Sequence, residues 1–248
     1  AIWGPAATTE RWRTTGPWRD ILRWDARAAA DGVRRRVFVQ SMSDFFEEHP
    51  QLDLWRVEAC EILAGLRNLD VQLLTKRPES VRHMVPAAWL EAWPRHIWIG
   101  TSVEDQQRAD ERIPLLLEVP AAVRFLSCEP LLGPIDLGLM STVPYCTVNG
   151  GRYDLAADRI NWVIVGGESG PNARPMNPDW ARSLRNQCVE AGVPFFYKQT
   201  GEWTTEYPGL GRRGMTYQYG KTFHKVGKAR AGRLLDGREW NECPATGL

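Results

Sequence analysis

Hydrophobic residues occur along this chain in short, nearly continuous runs, and longer segments with helical periodicity separate them. Runs of this kind, rich in β-branched and aromatic side chains, are typical of parallel strands that are covered on both faces. They begin about 25 to 40 residues apart, which is the size of a βα unit. The runs lie at 36–42, 71–76, 97–102, 123–130, 161–168 and 194–199.

The segments between the runs predict helices. Residues 54–66 repeat apolar side chains at helical spacing and predict one buried face that includes Leu54 and Val57. Another helix is predicted to begin near Asn177 and to end at Gly192, since these residue types are preferred as caps. Alternating strands and helices predict an α/β fold with a parallel sheet, in a barrel or an open doubly wound arrangement.

Two end segments depart from this alternation of strands and helices, so the sequence predicts three parts. Residues 1–30 interleave arginine with tryptophan, a pattern that suits contact with a nucleic-acid backbone and stacking on bases. Residues 31–200 carry the alternating pattern and predict the core. Residues 201–248 are basic and glycine-rich, which predicts a C-terminal extension or lid.

Composition is that of an ordinary globular protein. The chain has 248 residues, of which 43% are hydrophobic and 25% are charged, and its net charge of +1 decides nothing about a nucleic-acid partner. No apolar run has the length of a membrane span, so we expect no membrane partner. The cysteines lie far apart, which predicts neither a local metal-ligand pair nor a disulfide framework and favours a reduced, cytoplasmic setting. They are Cys60, Cys128, Cys146, Cys188 and Cys243.

Every apolar run ends in polar residues, and this is the main functional signal. In parallel α/β folds, ligands bind beyond the carboxyl ends of the strands, so the six ends together predict a functional cleft. For any single strand end, capping of the next helix is an equal explanation. The charges could also neutralise one another in ion pairs. The residues concerned are Ser41, Met42, Ser43, Asp44, Lys76, Ser102, Glu104, Cys128, Glu129, Gly166, Gly167, Glu168 and Lys198.

The stretch "VIVGGESG" admits two interpretations. Gly166 and Gly167 would let a ligand approach the main chain closely, while Glu168 would bind an amine or a ribose hydroxyl. Alternatively, the glycines serve a tight turn for steric reasons. The spacing does not match the G-x-G-x-x-G fingerprint of dinucleotide-binding folds.

Three strand-end residues are catalytic candidates: Cys128, Glu129 and Lys198. No histidine follows a comparable run, so a Cys/His dyad is not predicted. A metal-dependent hydrolase that uses Asp44, Glu129 and Glu168 as carboxylate ligands remains an alternative.

Seven blocks in order resemble an uncharacterised protein family of phages, prophages and bacteria that is described as radical-SAM-like. Its genes often neighbour those of three-Cys-motif partner proteins. The resemblance runs from about Ile2 to Pro244. The blocks are "VFVQSMSDFFEE", "LLTKRPE", "WIGTSVEDQ", "RFLSCEPLLGPI", "WVIVGGESGPNARPM", "VPFFYKQTGEW" and "GRLLDGREWNECP".

The resemblance implies a partial TIM-type barrel that binds a [4Fe-4S] cluster and S-adenosylmethionine, with a three-Cys-motif partner protein as an interaction partner. By position, residues 41–44 would lie near the methionine end of the cofactor. Ser102, Glu104, Glu129 and residues 166–168 would lie around ribose, adenine or substrate.

The family's cysteine motif should precede Trp3–Pro5, and the sequence starts at Ala1. Either the protein extends further upstream or this is a clusterless form. We expect truncation, because the strand ends downstream are all intact, and we expect no cluster ligand among the residues of this chain. The leading prediction is a radical S-adenosylmethionine enzyme that acts on a nucleic acid or nucleotide. The alternatives are a non-catalytic module that binds a nucleotide or partner protein, and the hydrolase described above.

Overall fold

A computed structural model describes most of the chain, and every structural statement below concerns the residues it covers. They are 10–13, 16–41, 43–138, 160–206 and 214–245. Met42, one of the predicted cofactor-binding residues, lies outside them.

Six strands form the main sheet, and each overlaps one of the six predicted runs. They are β1 (Arg35–Val39), β2 (Leu69–Thr75), β3 (Ile97–Ser102), β4 (Arg124–Cys128), β5 (Trp162–Gly166) and β6 (Phe195–Gln199). Their order in the sheet is their order along the chain, and the pairs β1–β2, β4–β5 and β5–β6 are parallel. The predicted α/β class with a parallel sheet is therefore confirmed.

Helices lie between several of these strands in the chain. They are α1 (Gly16–Asp31), a 3-10 helix (Pro50–Leu52), α2 (Asp53–Gly65), α3 (Pro78–Met84), α4 (Ala87–Glu91), α5 (Gln106–Leu117) and α6 (Pro178–Ala191). The predicted caps of α6 are confirmed. The Asn177 side chain accepts a hydrogen bond from the Asp179 amide at 3.1 Å, and Gly192 ends the helix in the left-handed conformation at φ 66°.

The buried face of α2 differs from the prediction. Leu54 and Val57 are exposed, while the neighbouring Arg56 is buried. The Arg56 guanidinium donates hydrogen bonds to the carbonyl oxygens of Phe45 at 3.0 Å and Glu47 at 2.6 Å. These bonds turn the arginine inward, and apolar periodicity alone does not reveal them.

The chain divides into two compact units, and the boundary falls inside β3. The first unit holds the chain up to Ile99 together with Val119–Ala122, and the second holds Gly100–Glu118 and the chain from Val123 to Ala245. The strand ends of the first unit and those of the second are therefore described separately below.

The predicted C-terminal extension contains a small antiparallel sheet in the order β7–β9–β8. Its strands and the helix that follows are β7 (Trp203–Thr204), β8 (Met215–Gln218), β9 (Lys221–Lys225) and α7 (Lys228–Ala231). In the described ranges, no helix has both the length and the apolar character that a membrane crossing requires.

Candidate functional site

In the second unit, the carboxylate of Glu129 connects the ends of two strands that are not neighbours. Glu129 follows β4, and its partners are the last two residues of β6. One carboxylate oxygen, Oε2, accepts a hydrogen bond from Lys198 Nζ at 2.8 Å, and Oε1 accepts one from Gln199 Nε2 at 2.8 Å. The structure thus brings together two predicted catalytic candidates, Glu129 and Lys198.

Gly166, the last residue of β5, leaves the space that this carboxylate occupies. A Cβ atom at position 166 would lie 3.1 Å from Cδ of Glu129, which is tighter than ordinary contact. At Gly167, a Cβ atom would lie 2.0 Å from the carbonyl oxygen of Thr200, a distance at which the atoms overlap. Close packing against main-chain atoms therefore accounts for Gly167, whereas the close neighbours of Gly166 belong to the flexible side chain of Glu129. The role of both glycines in ligand binding stays a prediction.

A bulge in β6 allows both Lys198 and Gln199 to reach the same carboxylate. Val165 is opposite Tyr197, but the next residue of β5, Gly166, is opposite Gln199, so Lys198 is an extra residue in its strand. Adjacent side chains of a regular strand point to opposite faces. A bulge bends the strand and redirects its side chains, which is common beside functional sites.

One hydrogen-bonding atom of the Gln199 side chain has no partner among the described residues. The residue is only 6% exposed, and its Nε2 donates both to Glu129 and to the carbonyl oxygen of Gly167 at 3.0 Å. The amide oxygen, Oε1, is buried and has no hydrogen-bond partner among the described residues. Leaving a buried acceptor unsatisfied costs about 1–3 kcal/mol. A hydrogen-bond donor that reaches Gln199 Oε1 would therefore be bound favourably.

Predicted residues around β3 and β4 are engaged within the protein. Glu104 accepts a hydrogen bond from Arg112 Nη1 at 2.9 Å, and the same nitrogen donates to the main-chain oxygen of Ser102 at 2.8 Å. Cys128 is fully buried, and burial, together with the nearby Cys188, raises the pKa of its thiol. Because the reactive form of cysteine is the thiolate, this environment disfavours Cys128 as a nucleophile.

Glu168 forms a bidentate ion pair with Arg174, six residues further along the chain. Oε2 and Oε1 of Glu168 accept hydrogen bonds from Nε and Nη2 of Arg174, each at 2.8 Å, and the Arg174 amide donates to Oε2 at 2.7 Å. The hydrogen bond from the Arg174 side chain is the main cause of the lowered pKa of Glu168. This ion pair therefore joins the two ends of the loop from Glu168 to Arg174.

We expect the stabilisation that the Glu168–Arg174 ion pair gives to this loop to be lost in acid. Because the pKa of Glu168 is below its usual value of 4.5, its stabilisation is complete above that pH and is lost as the pH falls through the lowered pKa. Glu168→Gln removes this part of the pH dependence. Melting temperatures of both proteins between about pH 3 and 7 should therefore converge in acid. Curves that stay parallel would contradict the assignment. Glu190→Gln, an exposed carboxylate with no ion pair among the described residues, is the matched control.

In the first unit, Asp44 links the loop after β1 to the end of β2. Its Oδ1 accepts hydrogen bonds from Thr75 Oγ1 at 2.7 Å and from the Phe46 amide at 3.0 Å. Its Oδ2 accepts from the Lys76 amide and from Arg77 Nη1, both at 3.0 Å. Four donors satisfy this carboxylate, so its position is explained by the connection it makes between the two strand ends.

The other predicted residues of these two strand ends are exposed. Ser41, Ser43 and Lys76 all face solvent. Ser43 Oγ lies 3.3 Å from Oε1 of Gln40, a residue with the unusual φ of 59°. The structure places Asp44 against the end of β2 but gives these two serines no comparable set of partners.

Three residues of these arrangements were not assigned from the sequence. Arg112 and Arg174 lie eight and six positions from their carboxylate partners, farther apart than the i, i+3 or i, i+4 spacing at which side chains of one helix form ion pairs. Gln199 offered a weak signal, because it ends the run "FFYKQ", but nothing in the sequence shows that its oxygen is unsatisfied.

The three carboxylates of the predicted hydrolase site each pair with a cation. Arg77 contacts Asp44, Lys198 contacts Glu129 and Arg174 contacts Glu168. In the part of the chain that the structure describes, no group of three His, Cys, Asp or Glu side chains is arranged to hold a metal ion.

These observations define an α/β protein whose parallel strands end in polar, largely paired side chains. Residues 4–244 match the model of a protein family of unknown function, DUF5131. Because the match spans nearly the whole chain, the chain belongs to this family. No curated protein and no solved structure matches it significantly.

Proposed function

We propose that the chain binds S-adenosylmethionine at the carboxyl ends of β4, β5 and β6, as the cofactor-binding part of a radical enzyme with a partial barrel. The seven sequence blocks that resemble the radical-SAM-like phage family support this proposal. The sheet order supports the barrel, since a doubly wound sheet reverses its strand order at a switch point and this sheet does not.

The observation that carries the proposal is the unsatisfied oxygen of Gln199 beside the Glu129–Lys198 ion pair. The methionine end of S-adenosylmethionine has an ammonium group and a carboxylate. We assign it to this site rather than to residues 41–44, because four donors already satisfy Asp44. Glu129 would bind the ammonium, and Lys198 would bind the carboxylate. Gln199 Oε1 would accept a further N–H or O–H from the ligand. The two charges of the ligand are therefore complementary to those of Glu129 and Lys198.

Replacing the Glu129–Lys198 ion pair by contacts to the ligand costs little free energy. Lys198 is half exposed, with 52% of its side chain accessible, so its pair with Glu129 contributes only about 0–1 kcal/mol. A zwitterionic ligand replaces each member of that pair by a group of the same charge. No charge is then left buried without a partner, which is the costly outcome for an ion pair.

Within this proposal, the residues of the chain bind and orient the cofactor. Glu129 and Lys198 hold the amino-acid group, and the glycines at the end of β5 keep the main chain and the Glu129 side chain close together. S-adenosylmethionine, when bound, supplies the reactive sulfonium whose carbon–sulfur bonds are available for cleavage.

The described cysteines do not fit a [4Fe-4S] cluster. Cys60, Cys128 and Cys188 are buried, and Cys243 is partly buried. Burial raises the pKa of the Cys60 and Cys188 thiols to about 12, whereas cluster iron is bound by thiolates. We therefore assign no described residue to the cluster and derive no reaction step through it.

A second candidate is a non-catalytic module that uses the same strand ends to bind an adenosine-containing ligand and requires no cluster ligands. Both candidates predict S-adenosylmethionine binding, and only the enzyme predicts its cleavage. The deciding property is the formation of 5′-deoxyadenosine under reducing, anaerobic conditions.

The test is calorimetric titration of the chain with S-adenosylmethionine, and then with methionine and adenosine alone. We expect binding of the whole molecule, and Gln199→Met should weaken it about tenfold because a hydrogen-bonding side chain is replaced by one of similar length without that ability. Gln107→Met, an exposed helical position, is the matched control.

Three results are informative. Binding that Gln199→Met weakens, followed by 5′-deoxyadenosine release with a reductant, supports the enzyme. The same binding without release supports the module. Absence of binding, or equal binding by the Gln199→Met and Gln107→Met variants, would overturn the proposed site.

A further inference from the structure

An open cavity of about 360 Å³ lies beside the edge strand of the first unit. Two aromatic residues and two arginines are among the residues that line it. Its lining residues are Trp24 of α1, the β1 residues Arg35, Arg36, Val37 and Phe38, and Leu69 of β2. The strand-end residues described above form no part of this lining.

Both aromatic rings of the cavity are accessible. Trp24 is 47% exposed and Phe38 is 42% exposed, although large aromatic side chains usually lie in the core. In the sheet order, β1 is an end strand, and among the described strands it pairs only with β2. The cavity is therefore an aromatic surface that the described residues leave uncovered.

The surroundings of the cavity carry an excess of positive charge. Between residues 19 and 38 the chain has six arginines and three aspartates. Arg27 and Arg35 share one carboxylate, that of Asp31. Arg36 is exposed, and its side chain forms no ion pair or hydrogen bond with a described residue.

The aspartates offset only part of this positive charge. Asp20 pairs with Arg23 on the same helix. Asp25 accepts hydrogen bonds from the main-chain amides of Arg67 and Asn68, at 3.1 Å and 2.7 Å. Its other oxygen, Oδ2, accepts from the Asn68 side chain, so Asp25 forms no ion pair with a described guanidinium group.

We infer that this cavity binds single-stranded nucleic acid, with bases stacked on Trp24 and Phe38 and a phosphate bound by Arg36. Stacking on aromatic rings and cation contacts to phosphates are the two interactions that such binding combines. Trp24 and Phe38 supply the aromatic rings, and Arg36, whose side chain has no ion-pair partner among the described residues, supplies the cation.

The alternative occupant, a protein strand added to the edge of β1, fits less well. Charged side chains on an edge strand oppose pairing with another chain, and of three consecutive arginines, Arg34 to Arg36, the last two are the first residues of β1. Arg34 is already fixed by its ion pair with Asp70 at 2.6 Å. The cations that remain exposed complement a polyanion.

The test is fluorescence anisotropy with labelled oligothymidine and oligouridine of about 12 nucleotides. Trp24→Ala and Phe38→Ala should each weaken binding about tenfold, the effect of losing one stacked base. Arg36→Gln should lower the slope of log affinity against log salt by about 0.7, as expected for one phosphate contact on a single strand. Leu54→Ala and Arg95→Gln, exposed positions of the same unit, are the matched controls.

This inference is independent of the S-adenosylmethionine proposal, because the variants leave Glu129, Lys198 and Gln199 intact. Each variant should bind S-adenosylmethionine as the parent protein does. The inference is wrong if neither oligonucleotide binds, or if the cavity variants and the controls lose affinity equally. It is also wrong if ultracentrifugation shows a dimer that Phe38→Ala dissolves while oligonucleotides do not bind.

Discussion

Gly167→Ala is expected to destabilise the protein by about 3 kcal/mol, because overpacking a tight contact forces the backbone apart. The new Cβ atom would lie 2.0 Å from the carbonyl oxygen of Thr200, and 3.1 Å from the amide nitrogen of Gly201. These are main-chain atoms, so no side-chain rotation can relieve the overlap. Thermal unfolding should show a melting temperature lower by roughly 6–12 °C for a chain of this size.

Gly65→Ala is the control for this experiment. A Cβ atom at Gly65, the last residue of α2, would have no neighbour within 4 Å. Alanine is a better helix former than glycine, so this variant should keep or slightly raise the melting temperature. If the melting temperatures of Gly167→Ala and Gly65→Ala are the same, the close contact between the ends of β5 and β6 is not present in the protein.

The second large effect concerns the affinity for S-adenosylmethionine. Glu129→Gln keeps the shape of the side chain and an oxygen that can accept from Gln199, but it removes the negative charge that would bind the ligand ammonium. A hydrogen bond to a charged group contributes about 1.5–3 kcal/mol, so calorimetry should show an affinity lower by roughly 10- to 150-fold.

Lys198→Met should weaken binding as well, through loss of the contact to the ligand carboxylate. Glu111→Gln is the control, since Glu111 is an exposed carboxylate of α5 that also pairs with an arginine, Arg108. Comparable losses in Glu111→Gln and Glu129→Gln would mean that general charge, rather than the strand-end site, determines the affinity.

The strands, and the polar residues that follow each of them, were predictable from the sequence for a simple physical reason. A parallel strand buried on both faces must be apolar along its length, so a run such as "VQLLTK" identifies β2 without any knowledge of its neighbours. The caps of α6 were predictable because Asn177 and Gly192 satisfy local main-chain geometry.

The partners of the strand-end carboxylates were not predictable, because they depend on tertiary geometry. Glu129 meets Lys198 and Gln199 only because Gly166 leaves space and a bulge shifts β6 by one residue. Likewise, Leu54 and Val57 are exposed because tertiary hydrogen bonds turn Arg56 inward. Periodicity gives the face of a helix, but it cannot show which buried polar group decides its rotation.

The most direct test of the central proposal is to locate bound S-adenosylmethionine by ultraviolet photo-crosslinking and peptide mapping. We expect the label on the peptides that contain Glu129, Gly166–Glu168 and Lys198–Gln199, and excess unlabelled S-adenosylmethionine should abolish it. Label that resists competition, or that is confined to peptides outside β4–β6 and the loops that follow them, would contradict the proposed site.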